Sequence, residues 1–156
     1  MATNEGRFIL VGDPVPQGRP RFSIRGRGKN AFVQTYDPEK SAAEKKRIRK
    51  EMRIFMLENG IKIYSCPLAV DLKFYFPVPK SYSKKKADQA LTGIMPHTKK
   101  PDVDNCAKLV LDACNSILFE DDSQIVRLTA SKDYSSRSGT IMTFKPFLFT
   151  GENNGS

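Results

Sequence analysis

Histidine occurs once in this chain, at His97, and cysteine three times, at Cys66, Cys106 and Cys114. No two cysteines stand in a C-x-x-C spacing with histidine neighbours, which excludes the usual zinc patterns, and the three thiols do not read as a disulfide framework. Long apolar runs are missing as well. The longest extend over a few residues, against the roughly 18 needed to cross a bilayer, and Met1-Ala2-Thr3-Asn4-Glu5-Gly6 carries no hydrophobic signal core. The expectation is a cytoplasmic protein with reduced thiols and no membrane partner. Acidic residues are scarce: 17 Asp and Glu stand against 26 Lys and Arg, a net charge of +9 that favours a polyanion such as nucleic acid.

The few acids that are present are concentrated. Residues 101 to 122 hold six carboxylates (Asp102, Asp104, Asp112, Glu120, Asp121, Asp122) against a single cation, Lys108. Residues 7 to 53 carry thirteen Lys and Arg against five acids, and residues 80 to 100 carry six Lys against Asp88. Two basic arms therefore surround an acidic centre. At 156 residues and 39% hydrophobic content the chain can bury one core and is too short for two comfortable domains. The expected division is one domain over 1–150 and a disordered tail over 151–156.

Periodicity orders the elements as strand, helix, strand, short helix, helix, strand, strand. Arg7 to Val11 reads as a strand, stopped by Gly12-Asp13-Pro14-Val15-Pro16-Gln17-Gly18. The loop runs on through Arg19, Arg21, Arg25 and Arg27, with Phe32 to Tyr36 as a short hairpin partner. Asp37 and Pro38 read as N-cap and first residue of a helix ending at Asn59-Gly60, with Ile48, Met52 and Phe55 on its core face and Lys46 and Lys50 among the outward cations. Leu68 to Phe76 alternates as a half-buried strand. Ser81 to Leu91 reads as a short lysine-rich helix capped by Ser81 or Ser83, and Thr92 to Pro101 as a mobile connector. A second amphipathic helix is expected over about Asn105 to Leu118, burying Cys106 and Cys114 as small hydrophobes. Two strands, about Gln124 to Tyr134 and Gly139 to Phe149, close the chain as a hairpin. Together these predict an α/β (α+β) domain with a small mixed sheet of about four strands packed by helices.

Pro101 disfavours helical geometry at Lys100, which places Asp102 and Asp104 in an extended lead-in where alternate side chains point the same way. Their carboxylates can converge. A further carboxylate from Glu120-Asp121-Asp122 joins them if the chain returns beside the helix N-terminus. Oxygen ligands without histidine or thiolate suit a hard ion such as Mg²⁺, with Mn²⁺ as a substitute, and such an ion assists phosphodiester cleavage. Lys108 would neutralise the phosphate in its transition state or position the attacking water. A purely structural account assigns the same residues to an N-cap, a Lys108–Asp112 ion pair and a turn. The basic arms weigh against it, because clustered carboxylates repel one another without a cation and a nuclease must hold a polyanion against them.

Lys100-Pro101-Asp102-Val103-Asp104-Asn105, then Lys108, then Asp112-Ala113-Cys114-Asn115, then Phe119-Glu120-Asp121-Asp122-Ser123-Gln124-Ile125 resembles the RusA family of Holliday-junction resolvases. The opening loop Gly12 to Arg21 is similar too, and the likeness runs from about Phe8 to Phe147. The resemblance implies a homodimeric, Mg²⁺-dependent endonuclease that nicks two opposing strands of a four-way DNA junction, one per subunit. Asp102, Asp104 and Asp122 match the family's catalytic metal-binding carboxylates and Lys108 its essential lysine; the role of Asp121 is open. Departures fall at Cys106 and Cys114, where larger aliphatics are common, and at Asn115-Ser116, where Asn-Gly is usual. Arg19, Arg21, Arg25, Arg27, Lys46 and Lys50 are the candidate DNA contacts. The alternatives are a non-catalytic nucleic-acid-binding protein and a metal-dependent nucleotide phosphohydrolase.

Overall fold

A computed structural model describes residues 5–36 and 38–148. Its main sheet has four strands in the order β1-β6-β4-β5. Strand β1 (Gly6–Val11) and strand β4 (Leu68–Phe76) each pair antiparallel with β6 (Gly139–Pro146), and β4 pairs parallel with β5 (Ile125–Tyr134). The mixed sheet follows from the connections. The expected hairpin of the last two strands is not formed: the link 135–138 carries the chain from β5 past the end of β4 to β6, so that β4 lies between them, and the parallel β4–β5 pair needs a long crossover. That crossover contains α2 (Lys84–Leu91) and α3 (Val103–Cys114).

One face of the sheet is buried, in the alternating pattern that a pleat imposes. Phe8 and Leu10 of β1, Val70, Leu72, Phe74 and Phe76 of β4, and Met142 and Phe144 of β6 meet Ile48, Met52 and Met56 of α1 (Glu39–Asn59) and Cys106, Leu109, Val110 and Cys114 of α3. Helix α1 ends where expected, on Gly60 at φ +63°, the left-handed geometry that glycine adopts without a Cβ clash. The expected N-cap Asp37, residue Phe149 and the tail 151–156 lie outside the described residues. No helix among the described residues is long and apolar enough to cross a membrane.

Three further expectations need correction. Arg21 and Arg25 lie on a strand and not in an irregular loop: β2 (Arg21–Arg25) pairs antiparallel with β3 (Phe32–Tyr36) in a separate two-stranded ribbon. Repeated glycine and arginine hide a strand whose partner supplies its order. Helix α3 starts at Val103 and stops at Cys114, where Asn115 turns extended and Ser116 takes φ +63°. The segment 92–101 is not simply a connector, because His97 is buried in it between the rings of Phe76 (4.5 Å) and Tyr134 (4.7 Å).

Candidate active site

The acidic centre is built on α3 and on the turn into β5. Pro101 constrains Lys100 but not the residue after it, so Asp102 takes the N-cap position with extended backbone (φ −71°, ψ 143°) and Asp104 falls inside the first helical turn. The two carboxylates then no longer alternate along an extended chain. Both carboxylate oxygens of Asp102 accept hydrogen bonds from Lys100 Nζ at 2.9 Å, whereas Asp104 opens onto a groove between α3 and β5. Surface pairs like Lys100–Asp102 contribute at most about 1 kcal/mol, so Asp102 can exchange that partner for another cation at little cost.

The groove encloses about 440 Å³. Its floor is apolar, from Val103, Ala107, Leu111, Leu128 and Ala130, and its rim carries Asp104, Lys108, Asp112 and Asp122. Asp122 sits at the far end from the helix start: its backbone N–H donates to Asn115 Oδ1 at 3.0 Å. The residue that does return to the N-terminus of α3 is Lys132 on β5, whose Nζ donates to the carbonyls of Lys99 (2.6 Å) and Pro101 (3.0 Å). A strand running back along a helix brings its last residues, not its first, to the helix start. Asp104, Lys108 and Asp122 therefore share one groove, while Asp102 stands outside it at the N-cap. Among the described residues no three His, Cys, Asp or Glu side chains are gathered closely enough to hold a metal ion.

Asp121 has a clear structural task. Its carboxylate accepts from Ser123 N–H at 3.0 Å, while Gln124 Oε1 accepts from Asp121 N–H at 2.9 Å, a reciprocal capping box. The side-chain and backbone hydrogen bonds from Ser123 hold the Asp121 carboxyl below its ordinary range. Gln124 Nε2 also donates to the carbonyls of Tyr64 (2.9 Å) and Cys66 (3.0 Å), fastening the turn to the segment before β4. In Asp121-Asp122-Ser123-Gln124 the first and last residues thus build the turn that presents Asp122.

Asp112 differs from expectation. Instead of a simple i,i+4 pair with Lys108, it meets Lys45 Nζ of α1 at 3.9 Å, on the rim of the groove and of a second cavity lined by Arg19, Asn105 and Lys108. Lys45 lay unnoticed among the charges of α1, and Lys132 among those of β5. Nothing in a local pattern distinguishes them, since their importance comes from tertiary approach. The opening loop reaches the same place. Gln17 N–H donates to Asn105 carbonyl (2.9 Å), Gly18 N–H donates to Ser41 Oγ (2.8 Å), and Ser41 Oγ donates to Pro16 carbonyl (3.3 Å). A Cβ on Gly18 would lie 2.6 Å from Pro38 Cγ, so glycine is needed for this close passage.

All six candidate DNA contacts are exposed, but they divide among three places. Arg19 lines the cavity beside Lys108; Arg21, Arg25 and Arg27 lie on or at the end of the β2–β3 ribbon; Lys46 and Lys50 are on α1. Burial pushes the Cys106 thiol up to about 11 and the Cys114 thiol up to about 12, so both are inert core groups, as their place on the apolar face of α3 requires.

An acidic groove on a basic α+β domain, with Lys108 among its carboxylates and Arg19 in the adjoining cavity, has the chemistry of proteins that act on nucleic-acid phosphodiesters. The chain matches the family described as Endodeoxyribonuclease RusA over residues 12–144, and it belongs to that family. It is accordingly a nuclease of the Holliday-junction resolvase type, with junction DNA as its substrate class. It is also 44% identical over 131 residues to a Bacillus subtilis (strain 168) protein described as "Uncharacterized protein YqaN", an overlap covering 83% of this chain and 87% of that protein.

Proposed function

We propose that this nuclease resolves four-way DNA junctions by paired symmetric nicks, acts as a homodimer, and depends on Mg²⁺, in recombination and repair of DNA. The observation that carries the reading is the shared groove of Asp104, Lys108 and Asp122, with Asp102 at the adjoining helix N-cap. The donor set is all carboxylate oxygen, which fits Mg²⁺ or Mn²⁺; such ions bind through one or two carboxylates plus waters and substrate phosphate. Asp104 and Asp122, which share the groove, are the residues that would hold the ion, and Asp102 would join them on releasing Lys100. When bound, it supplies an acidified water and stabilises charge on the phosphoryl oxygens.

The remaining steps belong to the chain itself. Arg19, in the cavity adjoining the groove, and the arginines of the ribbon draw the DNA backbone toward carboxylates that would otherwise repel it. Lys108, one turn from Asp104, meets the negative charge that builds on the phosphate or fixes the attacking water. Lys132 holds the 99–101 segment, which sets where Asp102 stands. Paired cuts need two such sites related by symmetry, as the arms of a junction are. The support for a dimer is the unpaired outer edge of β5, with Val126 (56% exposed) and Leu128 (44%) open on it. End-labelled four-way junction, duplex and flap DNA, incubated with and without Mg²⁺, tests the reading: cuts should appear only with Mg²⁺, on the junction, at symmetric positions in opposing strands.

A further inference from the structure

The β2–β3 ribbon carries more than the arginines that mark it as a phosphate-binding arm. In an antiparallel pair, residues opposite one another share a face and neighbours along a strand alternate. Ile24 lies opposite Val33, with Phe22 two residues along, so Phe22, Ile24 and Val33 form one face. Arg21, Ser23 and Arg25 form the other, with Gln34 and with Phe32, which lies opposite Arg25. The apolar face is open: Phe22 is 70% exposed, Ile24 77% and Val33 64%. The ribbon is therefore two-sided: the Phe22 face carries no cation, whereas the other carries Arg21 and Arg25 together with Phe32. Residues 18 to 36 contain five Lys or Arg (Arg19, Arg21, Arg25, Arg27, Lys29) and no acid, so the partner of this element is a polyanion.

Its root is equally informative. The ribbon leaves the body at Gly18, held on Ser41, one residue after Gln17 donates to the carbonyl of Asn105, the neighbour of Asp104. Phe22 is four residues beyond that anchor, so at about 3.4 Å per residue it lies within roughly 14 Å of it. That span is only a few nucleotides of DNA, so a strand with its phosphate at Asp104 is within reach of the ribbon.

We infer that the apolar face of the ribbon, led by Phe22, packs on base surfaces exposed at the branch point of the DNA, while Arg21 and Arg25 on the opposite face hold flanking phosphates. The inference rests on the junction-cleaving reading and assigns to this element the preference for branched over linear DNA. A continuous duplex hides both faces of every base pair in its stack. At a branch point the stack is interrupted and a base face is available to an aromatic ring, which every base can accept regardless of sequence. Apolar side chains inserted at such steps are a general way for proteins to recognise or enforce a break in stacking.

The test compares the wild type with Phe22→Ala, Phe22→Trp and Arg25→Ala for binding to a four-way junction and to linear duplex of equal length in EDTA, where cleavage is blocked. A 2-aminopurine at the crossover serves as a second readout, and sedimentation gives the oligomeric state. Phe22→Ala is expected to weaken junction binding roughly tenfold with duplex binding unchanged, and to abolish the 2-aminopurine response. Phe22→Trp should restore both. Arg25→Ala should weaken junction and duplex alike. Equal losses on both DNAs for Phe22→Ala, no loss at all, or a loss accompanied by dissociation of the oligomer would overturn the inference; dissociation would mean that a second copy covers this face. If the wild type fails to cut any junction, the functional reading itself fails. If it cuts normally while Phe22→Ala keeps its full junction preference, only the role of the ribbon is lost.

Discussion

In the proposed reaction Asp104 is the residue on which most of the chemistry depends. It is exposed in the first turn of α3, and its carboxylate opens onto the groove that also holds Lys108 and Asp122. Asp104→Asn keeps the shape and removes the charge. Loss of a group that acts on developing phosphoryl charge costs several kcal/mol of transition-state stabilisation, so cleavage should fall by about 10³-fold or more. Junction binding should survive or tighten, because a carboxylate no longer repels phosphate, and the melting temperature should be unchanged. Single-turnover cleavage, a binding titration and a thermal melt read the three quantities. Loss of binding together with loss of folding would count against a catalytic role. Asp121, one residue from Asp122, has the opposite character: its carboxylate is occupied by Ser123 N–H within a capping box.

At the scale of the element, the turn after α3 shows how a motif divides into support and chemistry. Ser116 holds φ +63°, a left-handed geometry that glycine adopts freely and a Cβ disfavours. Ser116→Gly should therefore raise stability by about 0.5–1 kcal/mol, the relief of the Cβ clash exceeding the added entropy of the unfolded chain. Chemical denaturation measures it, and cleavage should be unaffected. His97 offers an element-scale test by pH. Burial between Phe76 and Tyr134, with Lys132 nearby, pushes its pKa below the ordinary value of 6.5. The unfolded chain thus binds a proton that the folded chain refuses, and stability falls as pH drops through the unfolded pKa. Between pH 7.5 and 5.5 the melting temperature should decline, and His97→Phe, which keeps a ring there, should flatten that slope.

Elements that bury one face were legible in the sequence; those set by tertiary contact were not. The alternation in Leu68–Phe76 and the apolar stripe of α3 appear where periodicity places them. Strand β2 escaped because Arg-Pro-Arg and Arg-Gly-Arg look like loop until pairing with β3 orders them. The start of α3 was misplaced by two residues, since a proline restricts the residue before it and leaves the residue after free to cap. At the site, Asp102 and Asp104 were expected on an extended lead-in and instead stand at the N-cap and in the first turn of α3, while the groove shared by Asp104, Lys108 and Asp122 arises from β5 running back along α3.

The whole molecule is organised by charge and by an open edge. A net charge of +9, with cations on α1, on the ribbon and beside the groove, predicts binding dominated by phosphate neutralisation. The logarithm of junction affinity should fall linearly with the logarithm of salt concentration, with a slope near −0.9 per phosphate contacted, and each exposed arginine removed should reduce that slope by about one. Flat salt dependence would contradict this picture. The edge of β5 predicts a second property. Val126→Lys places a charge on that edge away from the groove and should shift the protein to monomer in sedimentation, with paired cutting giving way to unpaired nicks.

The central claim, that this chain cuts branched DNA through its acidic groove, is tested most directly on a four-way junction labelled in turn at each of its four 5′ ends. With Mg²⁺ present, the wild type should release products cut at symmetry-related positions in two opposing strands, and none in EDTA or on linear duplex. Intact junction strands after incubation of folded, junction-bound protein with Mg²⁺ would contradict it.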